Sequence, residues 1–174
     1  MEKKKPDFKT WWWYHRTHVL IAVLALGVAL YSFLPNLLAP KPDYGIAAVS
    51  VRGLSDERLA ALRERVEELA DDRSGDGRVL VTAALYYADL SGRTDGSLNY
   101  NEASRLDSDL VGRVSALLFF DDPEGFRANV AAPFTEPIPC ASLPALAGLL
   151  PEGWYVAART DCGAEELYTA LTAP

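Results

Sequence analysis

The sequence predicts an α/β protein: one N-terminal transmembrane helix, then a small three-layer domain whose mostly parallel sheet has about four strands. Three observations lead there. Residues 19–39 contain no charged side chain. Beyond them, short apolar runs alternate with stretches of helical periodicity, the pattern of helices layered on a sheet. Those runs are apolar at nearly every position rather than every second one, as strands covered on both faces require. Four segments result: a cytoplasmic basic and aromatic segment 1–18, a transmembrane helix 19–39, a stalk 40–43 and an extracytoplasmic α/β domain 44–174.

The membrane segment rests on length. At about 1.5 Å per residue, residues 19–39 reach about 30 Å, the thickness of a bilayer's hydrocarbon core. Trp11, Trp12, Trp13 and Tyr14 precede it, ring systems that settle at the headgroup level. The Lys3–Lys5 cluster lies before them, whereas Lys41 on the far side is offset by Asp43. Positive charge is retained on the cytoplasmic side, so the N-terminus is expected inside and the domain outside. A cleaved signal peptide is the competing reading, but Leu37-Leu38-Ala39 lacks the small residue an A-x-A-like site needs.

The outer domain is read in order. Tyr44–Arg52 is a strand rich in β-branched and apolar residues. Ser55 caps a helix, with Leu54 and Leu59 placed as a hydrophobic staple. Leu59, Leu62, Val66 and Leu69 repeat at helical spacing. Residues 72–77 turn the chain into a second strand, Val79–Tyr87. A polar loop over 89–100 leads to a helix capped by Asn101, with Leu106 and Leu110 on its apolar face. Ala116–Phe120 is a third strand. Asp122-Pro123 is a cap followed by proline at the first helical position, opening a short helix with Phe126 and Val130. Pro133, Pro137 and Pro139 make an irregular passage, and Leu143–Leu150 a short helix. Trp154–Ala158 is the fourth strand and Ala164–Leu171 the closing helix.

Charge and residue inventory exclude several chemistries. The net charge is −7 over 174 residues. Residues 1–40 hold five basic and two acidic side chains; the remaining 12 basic and 22 acidic ones give residues 41–174 a net −10. Nucleic acid is therefore not an expected partner. Both histidines, His15 and His18, precede the apolar stretch, and the last lysine is Lys41. The domain thus has no Ser-His-Asp or Cys-His arrangement and no Schiff-base lysine. Neither Gly-rich phosphate-binding motif is present.

Three sets of residues remain. In an open α/β sheet, ligands bind outside the carboxyl ends of the strands. There the predicted strands place Arg52, Asp89, Asp121, Asp122 and Arg159, suited to a cation or to a polar ligand with both charges. The structural reading is the stronger one: Asp122 is adequately explained as a helix cap and Asp121 as an exposed strand end. Asp72, Ser74 and Asp76, with Gly77 behind them, echo the first half of an EF-hand or dockerin-type calcium loop. Position twelve is Ala83, where a bidentate Glu belongs, and a plain helix-to-strand turn explains the same residues. Calcium is the only cofactor these residues suggest. Cys140 and Cys162 form an even pair in a domain expected in an oxidising compartment. A bridge would close about 23 residues and contribute roughly 3 kcal/mol; two unbridged buried thiols are the other reading.

The order of features (Lys and aromatic N-terminus, single span, proline-containing stalk, strand, capped helix, Asp/Gly turn, strand) resembles bacterial single-pass membrane proteins with a small extracytoplasmic α/β domain. The sheet pattern is similar to one lobe of a periplasmic-type solute-binding protein. The resemblance implies a fold and a location but no catalytic residues. The function expected is a non-catalytic binding or assembly module, anchored in the lipid bilayer through residues 19–39, with a second membrane or surface protein as a further partner. A surface enzyme using carboxylates or a divalent cation at the strand ends is the alternative.

Overall fold

In the computed structural model, which describes residues 8–38, 41–90, 100–130 and 132–173, the chain divides into two compact units, Met1–Pro40 and Lys41–Pro174. The first is one helix, α1 (Phe8–Leu38). Its stretch Trp11–Leu34 has a mean hydropathy of 2.1 and is long and apolar enough to cross a membrane. None of its most apolar window is buried within the protein. The helix begins before the apolar run because Trp11–His18 continue it. Apolar length sets what lipid accepts, not where helical hydrogen bonding starts.

The second unit is a five-stranded mixed sheet with helices on both faces. In chain order it contains β1 (Tyr44–Val49), α2 (Asp56–Leu69), β2 (Val81–Tyr86), α3 (Tyr100–Gly112), β3 (Leu117–Phe120), α4 (Pro123–Asn129), β4 (Ile138–Pro139), β5 (Tyr155–Ala158) and α5 (Glu165–Thr172). The sheet order is β2-β1-β3-β5-β4. β1 pairs in parallel with β2 and with β3, whereas β5 runs antiparallel to β3 and to β4. The expectation of about four mostly parallel strands is therefore corrected on both counts.

The reason lies in the proline-rich passage. After α4 the chain returns to the far end of the sheet, where Phe134 bridges Arg159. It then runs through β4, whose two residues pair with Tyr155 and Val156. β4 points the same way as β3, and β5 fills the place between them in the opposite direction. A two-residue strand ending in proline carries no periodicity to read. Residues 143–150, expected as a short helix, instead contain a single 3₁₀ turn, Pro144–Leu146, after another at Cys140–Ser142. The polar loop expected over 89–100 falls mainly outside the described residues.

Two apolar clusters hold the layers together. Alternate strand residues Ile46, Ala48, Leu117, Phe119 and Val156 meet Leu62 and Val66 of α2 and Leu167 and Leu171 of α5. The other face, with Ala47, Val49, Leu118 and Phe120, meets Leu106 of α3 and Phe126 of α4. Two of the three expected caps form: the Arg58 amide donates to Ser55 Oγ at 3.4 Å, and the Gly125 amide to Asp122 Oδ1 at 2.9 Å, whereas Asn101, expected as a cap, lies within α3. β1 also needs glycine at one point. A Cβ on Gly45 would lie 2.2 Å from the Val114 carbonyl oxygen, so that carbonyl leaves no space for a side chain.

Candidate functional site

The order β2-β1-β3 means that the chain leaves β1 toward one side and later passes it to reach the other. The connections that leave the carboxyl ends of β1 and β3 diverge at that point, as at ligand-binding crevices of open α/β sheets. Here they open a cleft of about 500 Å³. Its walls include Ser50 and Arg52 after β1, Asp89 after β2, Asp121 and Asp122 after β3, and Glu152 and Trp154 before β5. Four of the five strand-end residues expected from the sequence thus share one cavity.

Ser50 is the floor. It is 1% exposed, and its amide donates to the Tyr86 carbonyl at 3.1 Å. Its hydroxyl donates to Asp121 Oδ2 at 2.6 Å and accepts from the Arg52 amide at 3.1 Å. The turn that follows closes with the Gly53 amide on the Ser50 carbonyl at 3.3 Å. Gly53 has φ +75°, and a Cβ there would stand 2.5 Å from the ring of half-exposed Tyr87, so both conformation and space select glycine. Asp122 turns one oxygen away to cap α4. Trp154 is buried at the opposite wall, its carbonyl accepting from the Cys140 amide at 2.8 Å. The strand expected over Tyr44–Arg52 includes Ser50, whereas β1 ends at Val49. The available signal was that it is the first polar residue after an unbroken apolar run.

Arg159, the fifth strand-end residue, lies at the opposite end of the sheet. It follows β5, which is antiparallel, so its end of that strand is on the far edge. The side chain is 4% exposed. Its Nε donates to Asp161 Oδ1 at 2.8 Å and its Nη2 to the Leu110 carbonyl of α3. Its guanidinium lies 5.2 Å from the Phe134 ring centre. Arg113 joins the other Asp161 oxygen at 3.2 Å. A cation against the last turn of α3 opposes that helix's negative end, a structural role.

The loop resembling a calcium site is tied by its own amides. Asp72 Oδ1 accepts from the Gly75 amide and Oδ2 from the Gly77 amide, both at 2.7 Å, and Ser74 Oγ donates to Oδ1 at 3.1 Å. Asp76 Oδ1 accepts from the Arg78 amide at 3.0 Å. Asp43, expected in the stalk, reaches into the same turn. It accepts from the amides of Arg73 (2.9 Å), Ser74 (2.7 Å) and Leu80 (2.9 Å). These bonds hold the carboxyl groups of Asp43, through Leu80 first, and of Asp72, through Gly77 first, below the usual carboxylate range. Among the described residues, no three His, Cys, Asp or Glu side chains are grouped to hold a metal ion.

Cys140 and Cys162 are free thiols, so the structure has the unbridged arrangement rather than the disulfide. Both pack against the same apolar cluster. Burial pushes the Cys140 thiol up to about 12. A third polar group escaped the sequence altogether. Asp109, 5% exposed, accepts from Tyr86 Oη at 2.6 Å, from the Ser115 hydroxyl at 2.8 Å and from the Ser115 amide at 2.9 Å. Comparison with protein-family models, with curated proteins and with solved structures found no match to this chain.

Proposed function

We propose that the protein is a membrane-anchored binding module, with α1 in the lipid bilayer, the N-terminus in the cytoplasm and residues 41–174 outside. The strand-end cleft would receive a small polar ligand. One observation carries this reading: Arg52, Asp89, Asp121 and Asp122, contributed by three separate strand ends, line one cavity with Trp154. Its volume of about 500 Å³ lies within the range of roughly 300–1,000 Å³ usual for small-molecule sites. Orientation is argued from the Lys3–Lys5 cluster against the single Lys41 and from the retention of basic residues inside.

Two experiments test it. Protease treatment of intact cells carrying a C-terminal epitope is expected to remove the epitope and spare the N-terminus; a protected epitope reverses the orientation. A thermal-shift screen of small polar compounds is expected to yield stabilisers of the native chain that fail on Arg52→Gln. If no stabiliser depends on Arg52 or Asp121, the cleft is not a ligand site. The alternative, a carboxylate- or cation-dependent enzyme, has less support, because the cleft's acidic residues share a cavity without grouping around one point.

A further inference from the structure

The cleft is lined by charged side chains of both signs. Arg52 lies exposed among Asp89, Asp121, Asp122 and Glu152. Among the described residues, neither Arg52 nor Glu152 enters an ion pair. Asp121 gives one oxygen to Ser50 and Asp122 one to the Gly125 amide. Asp121 Oδ1 and Asp122 Oδ2 have no partner among the described residues. Elsewhere on this domain Arg63, Arg65, Arg105, Arg113, Arg127 and Arg159 each find a carboxylate, whereas Arg58, Arg73 and Arg78, like Arg52, enter no ion pair among the described residues. Arg52 without an ion pair and two carboxylate oxygens without a partner thus line one cavity, charges of opposite sign that a single ligand carrying both would meet.

Resting on the cleft reading above, we propose that this site binds a small organic zwitterion. Its anionic group pairs with the Arg52 guanidinium, a fork suited to a carboxylate. Its ammonium group takes the open oxygens of Asp121 and Asp122. Val51, Pro151 and Trp154 line the same cavity and face the carbon frame between the charges. A bare inorganic cation satisfies the carboxylates but leaves Arg52 repelling it, and the acidic side chains are not grouped for one. A purely anionic ligand meets Arg52 at the cost of four nearby carboxylates. Ser50 acts as a positioning residue: by holding Asp121 Oδ2 it leaves Oδ1 for the ligand.

The test is calorimetric titration of the full-length chain in detergent micelles with four probes: glycine, L-lysine, putrescine and succinate. The expected result is saturable binding of at least one of the two amino acids, with putrescine and succinate at least tenfold weaker, since each loses one charge-assisted pair. Arg52→Gln is expected to bring the amino acid down to about the putrescine level, and Asp121→Asn to weaken it about tenfold. Arg63→Gln on α2, remote from the cleft, is expected to leave binding unchanged. Arg52 is exposed, so its variant keeps the test valid if Asp121→Asn fails to fold.

Putrescine or succinate binding as tightly as the amino acids overturns the zwitterion. If that binding still depends on Asp121 or Arg52, the cleft remains a ligand site of another class. Absence of amino-acid binding also overturns the zwitterion. The cleft reading then falls separately, if the broader thermal-shift screen finds no stabiliser that depends on these residues.

Discussion

The hydroxyl of Ser50 and the carboxylate of Asp121, 71 positions apart, meet at 2.6 Å. The bond joins the carboxyl ends of β1 and β3 at the point where their connections diverge. It also occupies Asp121 Oδ2 and leaves Oδ1 without a partner among the described residues. The two residues sit level because β1 and β3 pair in parallel with Val49 opposite Phe120, so the residues that follow on each strand emerge side by side.

Ser50→Ala removes that bond and leaves Asp121 with an unmet acceptor. The expected cost is about 1 kcal/mol of stability, seen as a lower urea midpoint with an unchanged m-value. Binding in the cleft is expected to weaken as well, because Asp121 becomes free to rotate. A variant as stable as the native chain would show that the pair contributes nothing.

Asp109 ties α3 to β2 and to the start of β3 through Tyr86 and Ser115. Tyr86→Phe removes one of three donors and is expected to cost roughly 1–2 kcal/mol. Asp109→Ala leaves three donors on two buried residues unpaired beside a new cavity, with an expected cost of about 3 kcal/mol or more. The order of the two effects is the check. Burial, reinforced by the Asp109 carboxylate, raises the Tyr86 phenol above its ordinary pKa. Phenolate absorbance is therefore expected to leave Tyr86 silent until the domain unfolds in alkali.

Acid sensitivity follows from Asp43 and Asp72. Amide hydrogen bonds lower both carboxyl groups in the folded state. Each therefore contributes stability that is complete above the ordinary carboxylate range and lost as pH falls through the lowered folded-state value. Melting temperature is expected to be flat near neutrality and to decline below about pH 4. Asp43→Asn and Asp72→Asn are expected to lower stability at pH 7 and flatten the acid decline. An unchanged acid limb in both variants would place the sensitivity elsewhere.

The two thiols differ in access. Cys140 is 2% exposed, and burial disfavours its thiolate, whereas Cys162 is partly exposed. Since the thiolate is the reactive form, a maleimide at pH 7.5 is expected to label Cys162 first and Cys140 only on unfolding. Both should label in denaturant without reductant. Failure to label either under those conditions would reveal a bridge.

The sequence by itself determined what local patterns carry. A charge-free run long enough for a bilayer, the Ser55 and Asp122 caps, four of the five strands and the helices α2, α3, α4 and α5 were all legible. Each depends on residues close in sequence or on a repeating polarity. Only the tertiary structure decided which strand ends meet. The direction of β5 moved Arg159 to the far edge and brought Glu152 and Trp154 into the cleft. No periodicity records that reversal, because β4 is two residues long and its neighbours are prolines. Asp43 likewise looked like stalk until the turn at 72–77 folded back to supply its amides. Such partners lie some thirty or more residues away, and the free energy that joins them comes from packing the whole sheet.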